Sequence, residues 1–304
     1  MFSLKNRISN SDTIFLSPLD NILKEVTVIA KDLSPKKIVK KAINDIDKNY
    51  PQSPYGLSLY YNLKYLNDND SAVFKKEAIL ALYDEDGYKK SGWRHITSNK
   101  YLELLQFRST AKKSELYDNQ IWIYWAHDFV LTVDNPFSSL RMMGYTYKLE
   151  EIIPTDGSNI YKISFHCDKK NNYFTGWGSP DSLSGHLYIN EKDNALVKYD
   201  YYLDHSWVRK KEDSIRIISN VTHTFRLYQG KYYPDIIKDE QIDYYYIPDK
   251  KKWFHTKSKA TILVTEIDTE NPKVLTQKMT KFDTDIPYNK EFWDNFNLII
   301  DEDR

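Results

Sequence analysis

The sequence predicts a mainly β (α+β) fold: a curved antiparallel sheet, or half-barrel, with one prominent helix packed on its concave face. Three observations carry this. Apolar and polar residues alternate with period two from Tyr55 onward, turn residues recur at hairpin spacing, and one amphipathic helical stretch precedes them. Composition agrees: aromatics make up 15% of the chain, with 25 Tyr against only 9 Gly. Tyrosine joins an apolar ring to a polar tip, which suits strands with one buried and one wet face.

Thr13–Leu16 and Leu23–Ala30 read as two short strands, too little to form a core by themselves. The helix follows. Ser34 suits the N-cap and Pro35 the first helical position, where its missing N–H costs nothing. Val39, Ala42, Ile43, Ile46 and Tyr50 share one face, while Lys36, Lys37, Lys40, Lys41 and Asp45 face outward. Pro51 ends the helix at Asn49-Tyr50, because the residue before a proline resists helical backbone.

Tyr55, Leu57, Leu59, Tyr61, Leu63 and Tyr65 then alternate with small or polar residues. The turn Asn67–Asp70 leads to a second strand, Ala72–Tyr83. Lys100–Ser109 fits a strand or a short helix, and the apolar runs Ile121–Trp125 and Phe129–Val133 fit either type. From Tyr145 alternation returns, interrupted by turns at Pro154–Gly157, Glu191–Asn194 and Gln229–Lys231, and it closes with the strand Lys257–Ile267. Strands at this spacing imply antiparallel neighbours in a meander. Accumulated twist curls so wide a sheet, and its apolar concave face needs a plug, for which the Pro35–Asn49 helix is the candidate.

The 43 basic and 43 acidic residues cancel, so no global field recommends nucleic acid or an anionic membrane. Aromatics interleaved with lysine over Tyr232–Trp253 imitate a base-stacking surface, but zero net charge and alternation into a core face argue against nucleic acid. No run of 18 apolar residues exists to span a membrane as a helix. Met1–Asn10 lacks the apolar stretch and cleavage site of a secretory signal.

Catalytic and metal motifs are missing from the pattern. The seven histidines form neither the helical pair of a zinc peptidase nor structural-zinc spacing. His166-Cys167-Asp168 is the densest cluster, yet adjacent residues of a strand point to opposite faces, which keeps His166 from Cys167. Cys167 is the single cysteine and reads as a small core residue. His205 beside Asp204 and His127 beside Asp128 read as ordinary polar residues at strand ends. Thr175–Pro180 reads as a glycine-bearing loop. The expectation is no catalytic, metal or cofactor-binding residue and no cofactor.

Three stretches together resemble a known family: Asn21–Val28 within Leu19–Ala30, Lys41-Ala42-Ile43 leading to Asn49-Tyr50-Pro51 and Pro54-Tyr55, and Pro287–Asn297. Arg108-Ser109 and Gly185–Asn190 sit where that family has similar segments. The set is similar to Bacteroidetes cell-envelope proteins containing a carboxypeptidase-like regulatory domain, whose larger part resembles the lipoprotein-carrier half-barrel. The resemblance implies residues 1–31 as the remnant of an immunoglobulin-like regulatory domain and 32–300 as the half-barrel; the charged residues 301–304 read as a disordered tail. It implies a periplasmic or outer-membrane location and no peptidase activity. Two functions follow as expectations: an apolar groove that holds a lipid, acyl chain or protein segment, or a filled core whose sheet edges recruit an envelope partner; a weaker third is a hydrolase whose residues are scattered beyond recognition.

Overall fold

A computed structural model of the chain describes residues 34–67, 69, 71–89, 99–110, 128–176, 179–209, 213–247, 252–276 and 286–296. The two N-terminal strands and Ile121–Trp125 lie outside the described residues. So do His127 and the turn residues Asp68 and Asp70.

Alternation from Tyr55 produces ten antiparallel strands among the described residues: β1 (Tyr55–Leu66), β2 (Ala72–Asp84), β3 (Lys100–Ser109), β4 (Tyr145–Thr155), β5 (Ser158–Cys167), β6 (Ser182–Asn190), β7 (Leu196–Arg209), β8 (Asp213–Tyr228), β9 (Lys231–Ile247) and β10 (Lys252–Asp268). They form one sheet in the order β3-β2-β1-β10-β9-β8-β7-β6-β5-β4. Neighbours in the sheet are also neighbours in chain order except β1 and β10, the first and last of the described strands, which pair over eleven residue pairs from Gly56↔Asp268 to Leu66↔Lys257. Among the described strands the sheet is not closed, and its two edges, β3 and β4, follow one another in chain order. Lys100–Ser109, which fitted either type, is therefore a strand. Phe129–Val133 is neither helix nor strand but a tight turn, with Leu131 and Thr132 N–H groups donating to the Asp128 carbonyl at 3.1 and 2.9 Å.

Register fixes what each face carries. One row runs edge to edge through Leu149, Ile163, Leu187, Tyr199, His223, Ile237, Ile262, Tyr61, Ala78 and Phe107. On the opposite face the adjoining row is Lys148, Ser164, His186, Asp200, Thr222, Lys238, Thr261, Asn62, Glu77 and Arg108. One row is apolar apart from His223 and two tyrosine hydroxyls, and the other is entirely polar. Alternation thus separates a core face from a wet one across all ten strands.

The apolar face is covered by short pieces of the same chain. The expected helix is present but broken at Asp45 into α1 (Pro35–Asn44) and α2 (Ile46–Asn49). Val39, Ala42, Ile43, Ile46 and Tyr50 are all buried, as the spacing requires, and the four lysines are exposed. Ser34 takes extended backbone at the cap position, but its side chain makes no capping bond; the helix instead opens with Pro35. At the break the Asp45 carboxylate accepts from Asn194 Nδ2 at 2.8 Å, and Asn49 Nδ2 donates to the Asp193 carbonyl at 2.8 Å. Both partners lie in the β6–β7 turn, which fastens the helical pair to one end of the sheet.

The second cover is the β3–β4 connection. Phe129, Val130, Phe137 and Met142 join the same core cluster as α1 and the inner strand residues. Phe129 stacks on Tyr199 with centroids 4.2 Å apart and planes at 9°, and lies 5.4 Å from Tyr201. α3 (Asn172–Thr175) ends at Gly176, whose φ of +68° supplies the left-handed closure glycine tolerates best. On the wet face α4 (Lys290–Asn295) covers β1–β3: Trp293 is buried with Arg108 4.3 Å over its ring, and Tyr60 lies 5.5 Å from Phe296. No described helix is long and apolar enough to cross a membrane.

Phe129 is buried and stacks on Tyr199 of the core row. Phe129→Ala should destabilise the chain by about 3–5 kcal/mol, measured as the shift of the urea midpoint. His166→Ala, on an exposed strand position, should change stability by less than about 0.5 kcal/mol.

Candidate functional site

At the end of the concave face where α2 packs, tyrosines converge from four segments: Tyr50 after α2, Tyr55 on β1, Tyr88 after β2 and Tyr199 on β7. All four are fully buried. The Tyr50 ring lies 5.1 Å from Tyr88 and 5.5 Å from Phe225, and its hydroxyl donates to the Leu196 carbonyl at 2.6 Å.

Asp128 enters this aromatic set as a buried carboxylate at 0% exposure. Its two oxygens are shared out: Oδ2 accepts from the Tyr88 hydroxyl at 2.9 Å, and Oδ1 from the Val130 N–H at 2.8 Å. Burial raises its pKa to about 6, while the two hydrogen bonds and Lys100 oppose the rise. Lys100 is itself ion-paired with Asp84, both side chains being almost wholly buried. Asp128 in turn raises the neighbouring tyrosines, after their own burial.

His223 lies on the same face. Its Nδ1 is 2.7 Å from the Tyr199 hydroxyl, its ring stacks on Phe225 at 4.5 Å, and Nε2 has no hydrogen-bond partner among the described residues. Burial holds its pKa down to about 3, so the ring is neutral near pH 7. The Tyr199 hydroxyl also accepts from the Phe129 N–H at 3.4 Å, which ties the covering turn to the histidine.

Toward the opposite end the concave face turns polar. Ser219, Gln241 and Ser258 follow one another across β8, β9 and β10, and Asp239 faces inward in the adjacent row. Ser219 donates to Asp239 at 2.7 Å, and burial pushes that carboxyl up to about 6. The inner surface is therefore apolar and aromatic where the helices and the β3–β4 turn cover it, and hydroxyl- and carboxyl-bearing beyond them.

The sequence-derived groups fall as follows. His166 is exposed and Cys167 is wholly buried, on opposite faces of β5. Burial raises the Cys167 thiol. Asp204 forms a two-point pair with Arg216 at 2.8 and 2.7 Å, which lowers its pKa. The suggestive Thr175–Pro180 stretch provides the α3 cap; Trp177 and Gly178 lie outside the described residues. Among the described residues no three His, Cys, Asp or Glu side chains are grouped to hold a metal ion.

Sequence reasoning set Asp128 aside as a strand-end polar residue, and it is the most deeply buried carboxylate of the site. His223 was legible, standing in period with Val221 and Phe225 on a core face. The convergence of Tyr88 with Asp128, forty residues apart, carried no local signal.

No protein-family model and no curated protein matches the chain. Among solved structures, the crystal structure of a LolA superfamily protein from Nitrosomonas europaea is similar: 10% identical, with 79% of this chain and 94% of that chain covered, and a TM-score of 0.28. At that score the likeness decides neither fold nor function.

The buried groups make stability depend on pH in two opposed ways. For Asp128 the folded pKa of about 6 exceeds the unfolded value of about 3.9. Folding then binds protons between those values, and stability present below about pH 4 is lost as pH rises through 6. Asp239 acts in the same direction. For His223 the folded value of about 3 lies below the unfolded value of about 6.5. Its contribution is present above pH 6.5 and lost as pH falls toward 3. Asp128→Asn should remove a fall in stability of up to about 3 kcal/mol between pH 4 and 6. His223→Gln should remove an acid-side loss of similar order. Urea midpoints across pH 4 to 7.5 check both.

Proposed function

We propose that this chain is a non-enzymatic binding protein of the cell envelope that holds a lipid or acyl chain against its concave sheet face. The observation that carries the reading is the apolar row spanning all ten strands of an open sheet, covered by short helical pieces and a turn instead of a second sheet. Covers of that kind bury apolar surface through a few side chains each, so an alkyl chain can replace them without unmaking the sheet's hydrogen bonds. Apolar lining with a few polar groups at one end is the usual character of a small-molecule site. The hydroxyl- and carboxyl-bearing end suits the polar head of such a ligand.

A second reading is favoured by Phe129, which stacks on Tyr199 where a ligand would lie. In it the core is permanently filled, and the chain acts through the sheet edges β3 and β4, recruiting an envelope protein by strand addition. The envelope location common to both readings rests on the family resemblance of Asn21–Val28, Lys41–Tyr55 and Pro287–Asn297.

Native mass spectrometry of protein purified from its own host, before and after organic extraction, separates the two. The first reading expects an extractable acyl-bearing species at near one per chain. A clean unliganded mass accompanied by a protein partner would favour the second.

A further inference from the structure

Burial along the inner face falls off over a short distance. On β9 it runs from Ile237, at 3% exposure, to the half-buried Asp239, Gln241 and Asp243. On β10 it runs from Ala260, at 4%, to the half-buried Ser258 and Thr256. Beyond them Tyr245 and Phe254 stack 5.9 Å apart, and neither is fully buried. The expected alternation of Tyr232–Trp253 into a core face therefore holds at Tyr232, which is buried, and gives way toward the hairpin tip. From the covered side the Phe129 ring reaches Tyr201, with centroids 5.4 Å apart. Asp239 stands at this boundary.

The polar atoms gathered there accept hydrogen bonds. Tyr201, Val221, Asp239 and Ala260 share one inner row, with Ser219 and Gln241 in the next. Asp239 accepts from Ser219 Oγ at 2.7 Å, and no cation pairs with it among the described residues. Tyr201 is only 4% exposed, yet its hydroxyl makes no hydrogen bond among the described residues. Burial raises that hydroxyl's pKa and the nearby Asp239 raises it further. Buried hydroxyls are ordinarily paired, so this one calls for a partner. Gln241 donates through Nε2 to Asp243 at 2.8 Å, which leaves its carbonyl oxygen to accept. The lysines of the inner face stand away from the group. Lys76 shares the row but has β10 and β1 between it and Asp239, and Lys252 lies at the start of β10.

From this convergence we propose that the concave face takes amphiphiles with a primary ammonium head, seated between Asp239 and Tyr201 with the alkyl chain running toward the Phe129 turn. The inference rests on the reading that this face holds an alkyl chain, and it adds the chemistry of the head. An ammonium has three donors and no acceptor, so it can meet the Asp239 carboxylate and the unpaired Tyr201 oxygen together. Its charge offsets the cost of a carboxylate drawn out of water, through a charge-assisted hydrogen bond. A carboxylate head is repelled by Asp239 and Asp243, and an alcohol has a single donor to offer.

Calorimetric titration of the full chain with decylamine, 1-decanol and decanoate, at about pH 7.5 where the amine is charged, tests it. Decylamine should bind at least about tenfold more tightly than 1-decanol, and decanoate more weakly than either. Asp239→Asn should abolish that preference and leave 1-decanol within about twofold of its wild-type affinity. Glu240→Gln removes the same charge from the exposed, opposite face of β9 and should keep the preference. If Asp239→Asn unfolds, carbodiimide coupling of bound decylamine to the wild type decides instead: peptide mass mapping should place the new amide on Asp239. Three results overturn this inference and leave the concave-face reading standing: equal affinities for decylamine and 1-decanol, a preference that survives Asp239→Asn, or an amide confined to other carboxylates. Binding of none of the three probes overturns both.

Discussion

An open ten-stranded sheet with an apolar inner row must hide that row, and this constraint shapes the rest of the molecule. A second sheet would satisfy it, as in a sandwich. Here the chain uses what lies between strands instead: the segment before β1 supplies α1 and α2, and the connection between the two edge strands supplies the turn at Asp128–Thr132. β3 and β4 follow one another among the described strands yet lie at opposite edges of the sheet, and the described turn between them packs on the inner face. Topology and burial are served by the same residues.

Asp128 shows how that economy is held together. A buried carboxylate is costly unless hydrogen bonds replace its water. Tyr88 and the Val130 N–H do so, and they thereby fix the turn that presents Phe129 to Tyr199. Tyr199 then reaches His223 through its hydroxyl. The polar groups in this aromatic setting give the cover a defined seat, where apolar packing alone would accept several. Their opposed proton linkages leave the seat responsive to pH between about 4 and 6.5.

Much of this was legible in the residues. Period-two alternation gave β1, β2 and the strands from Tyr145, and the helical face of Val39, Ala42, Ile43 and Ile46 was read correctly down to its exposed lysines. The separation of His166 from Cys167 followed from strand geometry alone. What escaped depended on contacts distant in sequence. The helix breaks at Asp45, whose carboxylate is held by Asn194, and no local pattern announces a partner 149 residues away. Lys100–Ser109 was ambiguous because Leu102, Leu104 and Leu105 satisfy both periods, and only pairing with β2 decides. Phe129–Val133 carries the composition of a strand but lies across a sheet already complete. The resemblance to envelope proteins suggested a half-barrel, and the open sheet is consistent with it.

The chain contains its own reporter of whether the inner face is covered. Cys167, its only thiol, sits at 0% exposure at the end of β5, on the inner face beside Tyr145. Labelling of this thiol under native conditions is the most direct measurement. Coverage by the chain's own segments predicts labelling many orders slower than an unfolded-chain control, accelerating only as urea opens the fold. Labelling at the rate of a free thiol in native buffer would contradict it.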